Sequence, residues 1–161
     1  MPAVVAGGVT QDDIPHTITQ KSCVYASNGV GTKSGSYVAM PDMTITVTPD
    51  IDCGAIVLFT GRAEQYGDLQ ERLTMGIALY LDGTMVAETV LSPYAKLVYD
   101  PELGMYVPYV AAENALLFYG VPSLPAGQHT FQMYYQGARE FIGATGMYVR
   151  ERLLQVTLFY R

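Results

Sequence analysis

Apolar and polar residues alternate along most of this chain, and this period of two constrains its fold more than any other feature. Met43, Ile45 and Val47, for example, are separated by the threonines at positions 44, 46 and 48. Successive side chains of a β-strand point to opposite faces of a sheet, so such a segment predicts a strand with one face in a core. Eight or more similar segments are separated by Gly and Pro residues. The sequence therefore predicts an all-β protein, an antiparallel β-sandwich of jelly-roll type.

Several segments add detail to this prediction. Residues 55–60, Ala-Ile-Val-Leu-Phe-Thr, are apolar on both faces, as a strand buried on both sides is. Asp82-Gly83 predicts a tight hairpin turn, and residues 124–127 predict a second hairpin turn. The last strand, at 152–161, places the C-terminus within a sheet.

The sequence lacks a convincing helical pattern. Residues 64–72 are the best helix candidate, for about one turn, and a glycine within them weakens it. Residues 27–35 predict a loop. Residues 115–119 predict a short strand that ends at Gly120 and Pro122.

The N-terminal residues 1–16 show no clear period and are predicted to lie outside the domain formed by residues 17–161. A segment of this composition cannot bury its own apolar side chains. It is therefore either a disordered tail or an extended arm that contacts a neighbouring subunit. The contact residues of such an arm would be Val4, Val5, Val9 and Ile14.

Charge is scarce on this chain, and the balance is acidic. Charged residues make up 15% of the sequence, against about 25% in a typical soluble domain. Tyrosine, present thirteen times, is enriched where partners bury a surface, so the composition favours an oligomer. The net charge of −6, with no basic cluster, argues against nucleic acid and against an anionic membrane surface. The N-terminus lacks a signal-peptide pattern, so we expect synthesis and folding inside a cell.

The sequence offers no catalytic constellation. Both histidines stand alone, and no nucleophile-elbow, zincin or deaminase motif occurs. Asp50 and Asp52 form an acidic pair in a turn, where aspartate commonly accepts backbone hydrogen bonds. Cys23 and Cys53 lack zinc or redox spacing, and we expect two free thiols that pack as small core residues. We therefore expect no enzyme, no metal and no cofactor.

Residues 92–114 interrupt the rhythm of strands. Segments of this length without secondary structure are uncommon in compact domains, and they are usually functional or conceal a pair of strands. Residues 100–104 predict the tip of such a hairpin. The segment is either a structural excursion without a ligand or a loop that contacts a partner. In the second case the contact residues are Tyr94, Tyr99, Tyr106 and Tyr109.

Five segments carry a resemblance to a known family. They are Ser-Tyr-Val-Ala-Met-Pro-Asp-Met-Thr-Ile-Thr-Val-Thr at 36–48, residues 55–61, Ile-Ala-Leu-Tyr-Leu-Asp-Gly at 77–83, Leu-Pro-Ala-Gly-Gln-His-Thr at 124–130, and residues 152–158. In order and spacing they resemble the C1q/TNF-like jelly-roll modules of bacteriophage structural proteins. The sequence departs from that pattern in its long tyrosine-rich segment at 92–114 and in its lack of tryptophan.

The resemblance implies a homotrimer. In that family one sheet of each subunit faces the threefold axis, and the closing strand contributes aromatic residues to it. Neighbouring residues of a strand face opposite ways, so two of the four candidates are expected to point into their own core. The candidates on this sequence are Tyr134, Tyr135, Phe159 and Tyr160.

The resemblance also implies a role in a virion. We expect a capsid decoration protein, a trimer on the outer shell of a bacteriophage head that is made in the host cytoplasm. Its partners would be its own copies and the major capsid protein or another virion protein. The alternative is a tail-tip or fibre module that recognises a host-surface carbohydrate through the tyrosines of residues 92–114. A glycan hydrolase is a third interpretation.

Overall fold

The computed structural model describes residues 4–5, 9–10, 18–66, 74–92, 94–137 and 146–160. These residues form thirteen strands and no helix, so none of them belongs to a helix that could span a membrane. The strands are β1 (Val4–Val5), β2 (Val9–Thr10), β3 (Ile18–Ala26), β4 (Val30–Thr32), β5 (Val38–Val47), β6 (Cys53–Tyr66), β7 (Met75–Leu81), β8 (Thr84–Leu91), β9 (Tyr94–Asp100), β10 (Met105–Ala111), β11 (Glu113–Leu124), β12 (His129–Gln136) and β13 (Gly146–Phe159).

Nine of these strands form two layers, one of five strands and one of four. Sheet 1 has the order β11-β6-β13-β3, with the short β4 also paired to β13. Sheet 2 has the order β5-β12-β7-β8. Every pairing within the two sheets is antiparallel. The predicted antiparallel β-sandwich is confirmed.

One hydrophobic core lies between the two sheets and takes side chains from both. For three strands, the predicted alternation correctly identifies the residues that point into this core. Each of the nine residues concerned is at most 5% exposed. They are Met43, Ile45 and Val47 of β5, Phe131, Met133 and Tyr135 of β12, and Leu154, Val156 and Leu158 of β13.

Of the two predicted hairpin turns, one is confirmed and one is wrong. Asp82 and Gly83 both have positive φ angles, 50° and 82°, which is the conformation that a two-residue turn between antiparallel strands favours. They join the paired strands β7 and β8. Residues 124–127 also turn the chain, with Gly127 at φ 126°. They lead from β11 in sheet 1 to β12 in sheet 2, so this turn crosses the sandwich and closes no hairpin.

The structure corrects three further boundaries. Strand β11 continues through Gly120 and Pro122, because an edge strand tolerates proline and a bulge between Val121 and Leu124 absorbs the irregularity. Residues 64–66 belong to β6 and are not helical, whereas 67–72 lie outside the described residues. The predicted loop at 27–35 contains β4, which pairs with β13.

The two cysteines are free, but only one of them packs in the core. Cys53 is buried. Cys23 is exposed on sheet 1, since its position opposite Gln155 places it on the outer face, and the prediction of a core position was wrong for it.

The N-terminal segment contains a small pairing of its own. Strands β1 and β2 form a separate two-stranded antiparallel sheet in which Val5 lies opposite Val9. Ile14 lies outside the described residues. That residues 1–16 act as an arm on a neighbour stays a prediction.

An ion pair ties three segments together at one end of the sandwich. His129 Nδ1 lies 2.7 Å from Asp82 Oδ2, and His129 Nε2 lies 2.9 Å from the Pro125 carbonyl oxygen. Both partners are acceptors, and only the protonated imidazolium carries a hydrogen on each nitrogen. The hydrogen bond to Asp82 accordingly raises the pKa of His129, although burial opposes it. Burial also acts to raise the pKa of Asp82, but the hydrogen bonds from His129 and the Thr130 N–H outweigh it and lower that pKa.

Arg152 is a charged residue in the core. Its side chain is fully buried because it shares the inward phase of Leu154 on β13, just after a bulge at which Glu151 has φ 52°. The guanidinium donates to the Pro41 carbonyl on β5 and, over 3.2 Å, to the carbonyl and the side-chain oxygen of Asn28. Burial lowers the pKa of this guanidinium, and the Asp42 carboxylate partly opposes the effect. Arg152 thus links β13 of sheet 1 to β5 of sheet 2.

The His129–Asp82 pair predicts a pH-dependent stability. Because the pKa of His129 is raised on folding, its contribution is complete below about pH 6.5 and is lost as the pH rises through the folded pKa. Asp82, with its lowered pKa, contributes above about pH 4 and loses that contribution as the pH falls through its folded pKa. Urea unfolding should therefore show a stability advantage of the native protein over His129→Gln at about pH 6 that shrinks by about pH 9. An advantage that is equal at both pH values would contradict this assignment.

The Arg152 contacts predict a large loss of stability on truncation. Arg152→Ala removes the largest fully buried side chain and leaves the acceptors of Pro41 and Asn28 without this donor, so we expect a loss of about 3–5 kcal/mol in the free energy of unfolding. Arg150→Ala is the matched control, because Arg150 lies on the outer face of the same strand with its side chain 38% exposed, and it should cost no more than about 1 kcal/mol. Equal losses in urea titrations of the two variants would show that the buried contacts do not stabilise the sandwich.

Candidate subunit interface

The outer face of sheet 1 presents a group of large exposed apolar side chains, which is bordered by Gln155, Thr157 and Lys21. The registers place Leu116, Thr60, Leu153 and Tyr25 in one row across the four strands. The next row begins with Phe118 and Leu58. Leu116 is 58% exposed, and Phe118 and Tyr25 are each 65% exposed. Together with the partly exposed Ile56, Leu58, Leu153 and Phe159, these three residues form what we call the apolar face.

Strand β6 explains how this face arises. Its inner residues Val57 and Phe59 are fully buried, whereas the outward Ile56 and Leu58 remain partly exposed. The sequence pattern of a strand buried on both sides is therefore satisfied on one side only within a single chain. Contiguous exposed apolar surface of this kind marks an interaction site.

A groove opens at one end of the apolar face. It has a volume of about 320 Å³ and is lined by Gly54, Ile56, Gly120, Pro122 and Phe159. The two glycines lie at outward positions of β6 and β11, opposite Phe159 and Ile56 respectively, so no side chain fills the space between their neighbours.

The other end of the same sheet is charged. Arg62 and Arg150 lie directly opposite each other on β6 and β13. Glu64 Oε1 accepts from Arg150 Nη2 at 2.7 Å and lies 3.4 Å from Arg62 Nε. One carboxylate thus bridges two guanidinium groups, and this cluster bounds the apolar face.

The outer face of sheet 2 has a different character. Its outward residues on β5 and β12 include Thr44, Thr46 and Thr130, and the last two approach to 3.3 Å through their hydroxyl groups. The rings of Tyr80 and Tyr134 stack with their centroids 4.0 Å apart. Met85 and Val90, which are 46% and 47% exposed, also lie on this face, on the edge strand β8. The large exposed apolar side chains of sheet 2 are thus confined to its edge, whereas the threonines and the stacked tyrosines lie on the strands beside it.

The four predicted interface residues do not lie together. Tyr135 is buried, and its hydroxyl donates to the Gly31 carbonyl over 3.1 Å; Tyr160 packs against the core. Two of the four thus face their own subunit, as expected. Tyr134 and Phe159 point outward but from opposite sheets, so they cannot belong to one face. Only Phe159 lies on the apolar face.

Sequence reasoning missed Leu116, Phe118 and Tyr25. The sequence does contain an indication of the first two residues. Residues 115–119 are apolar on both faces of the strand, with Ala115 and Leu117 on one face and Leu116 and Phe118 on the other. Tyr25 carries no such signal, since its outward neighbours Cys23 and Lys21 do not form an apolar phase.

Residues 92–114 contain the predicted hairpin. Strands β9 and β10 pair with each other, with Tyr99 opposite Tyr106 and the tip at residues 100–104 as expected. Asp100 Oδ1 accepts from the backbone N–H groups of Glu102 and Leu103 at 2.9 and 3.2 Å, which holds the tip in shape. The rings of Tyr99 and Tyr106 meet edge to face, 5.4 Å between centroids, and both are exposed. The side chains of Tyr94 and Tyr109, and those of Val4, Val5 and Val9, lie outside the described part of the chain.

The acidic turn at 49–53 has a structural role. Asp52 Oδ1 accepts from the Ala126 N–H at 2.9 Å, and the Pro49 carbonyl accepts from the Gly127 N–H. Within the described ranges, no three His, Cys, Asp or Glu side chains come together as metal ligands would.

No protein-family model and no sequence of a curated protein matches this chain. Among solved structures, the Agl-KA catalytic domain aligns with a TM-score of 0.40 at 12% identity, over 87% of this chain and 28% of that one. Dimeric latent PorU from Porphyromonas gingivalis aligns with a TM-score of 0.39 at 10% identity, over 84% of this chain and 13% of that one. The Gx strain of infectious bursal disease virus aligns with a TM-score of 0.37 at 10% identity, over 99% and 42%. This chain thus spans less than half of each of these proteins, and at such scores the similarity says nothing about function.

Proposed function

We propose that this protein is a virion structural protein, a homotrimer that associates through the apolar face and decorates the outer shell of a bacteriophage head. The observation that carries the trimer is the apolar face itself, with Leu116, Phe118 and Tyr25 each more than half exposed. Burial of apolar surface is favourable by about 25 cal/mol per Å², so covering this face between subunits would stabilise an assembly.

The strand order supports a jelly-roll module of the kind that the sequence resembles. Taken in chain order, the eight long strands of the sandwich divide so that the first, third, sixth and eighth form sheet 1 and the second, fourth, fifth and seventh form sheet 2. Two Greek keys wrapped into one sandwich have this order. The family resemblance, carried by residues 36–48 and 124–130 among others, is the basis for the phage virion and for the threefold symmetry.

Charge distribution supports the same proposal. The charged groups on the outer face of sheet 1 include the cluster of Arg62, Glu64 and Arg150 and, on the edge strand β3, Lys21, whereas Phe118 lies opposite the uncharged Leu58. Depletion of charge from the centre of a patch is the compositional mark of a protein interface. The threonines and the stacked tyrosines of sheet 2 would then face solvent in the trimer.

The proposal predicts that truncating the apolar face separates the subunits. Sedimentation equilibrium of the native protein should give the mass of three chains, whereas Leu116→Ser combined with Phe118→Ser should give folded monomers, since both side chains are exposed in the single chain and their loss leaves its core intact. Tyr134→Ser, on the outer face of sheet 2, is the matched control and should remain trimeric. A native protein that sediments as a monomer at all concentrations would overturn the trimer.

A second function is favoured by the hairpin of β9 and β10. The exposed rings of Tyr99 and Tyr106 stand beside the carboxylates of Asp100 and Glu102 at its tip. Aromatic faces and carboxylate acceptors are groups that bind sugar rings and their hydroxyls. A tail-tip or fibre module that recognises a host-surface carbohydrate through this hairpin is therefore the alternative.

Copy number in purified particles separates the two functions. A decoration protein of the head should be present in numbers comparable to those of the major capsid protein, as measured by quantitative mass spectrometry, and immunogold should label the head. Three results together would favour the carbohydrate-binding role over the decoration role. They are immunogold label confined to the tail, a few copies per particle, and glycan-array binding that is lost in Tyr99→Ala and Tyr106→Ala.

A further inference from the structure

We propose that the groove beside Gly120 receives the Phe118 ring of a second copy of this chain. The proposal rests on the homotrimer proposed above and specifies which contact builds it. Knob and groove lie two residues apart on the outer side of β11, so every copy carries both.

Gly120 supplies the first evidence. It lies inside β11 on the outer face of sheet 1, and it is exposed. A Cβ atom built there meets nothing within 4 Å, and its backbone does not have the positive φ that requires glycine. By contrast, the space above Gly76 in sheet 2 is filled by the ring of Tyr37 from the same chain. Glycine weakens a strand interior and marks places where another group approaches closely. Among the described residues of the chain, none makes that approach at Gly120.

The groove has the shape and chemistry for an aromatic ring. Ile56 lies between the two glycine positions, and Pro122 and Phe159 complete the lining. Gly54 also has room, because the nearest atom to a Cβ built there is the Val121 carbonyl oxygen at 3.5 Å. A cavity of about 150 Å³ lined by apolar side chains can hold benzene. The volume of about 320 Å³ therefore accommodates the ring of a phenylalanine.

We call the Phe118 side chain the knob, because it is an exposed aromatic group that lies beside the groove on the same face of sheet 1. Its ring is 65% exposed and stands on the same strand and the same face as Gly120. When the Phe118 of one copy enters the groove of the next, the next copy still presents its own Phe118 to a further copy. Such a heterologous contact closes into a ring if the rotation between copies is a simple fraction of a turn. A trimer satisfies every knob and every groove.

A tryptophan reporter tests the contact directly. The chain contains no tryptophan, so Phe118→Trp introduces a single indole. We expect its emission to shift to the blue, and its quenching by iodide to fall, as the concentration is raised through assembly. In Phe118→Trp combined with Gly120→Leu, the leucine fills the groove, and the emission should remain that of an indole in water.

The matched variants separate failure of the contact from failure of the trimer. Gly120→Leu alone should raise the trimer dissociation constant at least tenfold in sedimentation equilibrium, with no loss of monomer melting temperature, since the leucine enters open space. Thr44→Leu, which adds an exposed leucine to the outer face of sheet 2, should leave that constant unchanged. A trimer whose indole at 118 stays exposed to water, or that tolerates Gly120→Leu, would overturn the knob and groove while the trimer stands. A chain that is monomeric throughout would overturn both.

Discussion

The rest of the structure depends on one constraint, which is that strand β6, in the middle of sheet 1, is apolar on both faces in a chain that builds two layers. Sheet 2 covers the inner face, where Phe59 and Val57 are fully buried. On the outer face, Ile56 and Leu58 remain partly exposed among the described residues, and Phe118 beside them is exposed. A strand that is hydrophobic on both sides is stable against a third layer, as parallel sheets show with their helices. In the proposed assembly, that layer would be another chain.

The placement of the two arginines of β13 keeps their charge away from the apolar face. Arg152 is withdrawn into the core, where carbonyl oxygens on β5 and on the loop before β4 accept hydrogen bonds from its Nη1 and Nη2 groups. The bulge at Glu151 that turns Arg152 inward also resets the phase of β13, because Arg150 before it and Leu153 after it both point outward. One irregularity therefore separates the charged end of sheet 1, with Glu64 bridging two arginines, from its apolar end.

The sequence predicts what depends on local alternation, and it predicts less of what depends on which sheet a strand joins. The inward residues of β5, β12 and the end of β13 follow from the period of two. The turn follows from the residue types Asp82 and Gly83, which adopt the positive φ angles that a two-residue hairpin turn requires. The interface candidates Tyr134 and Phe159 depend also on the sheet that each of their strands joins. Because β12 belongs to sheet 2 and β13 to sheet 1, two residues that both face outward end on opposite sides of the sandwich. Alternation alone contains no information about which sheet a strand joins.

The proposed self-association and partner binding involve different parts of the molecule, and this difference bears on how the two proposed functions relate. The hairpin of β9 and β10 pairs with neither sheet of the sandwich, and its tip is held by the side chain of Asp100. Tyr99 and Tyr106 therefore do not belong to the apolar face and would remain available if that face were covered. A trimer would present three such tips, and linked weak contacts gain affinity through effective concentration without any new contact. Assembly through sheet 1 would thus strengthen binding at the hairpin, whether its target is a capsid or a glycan.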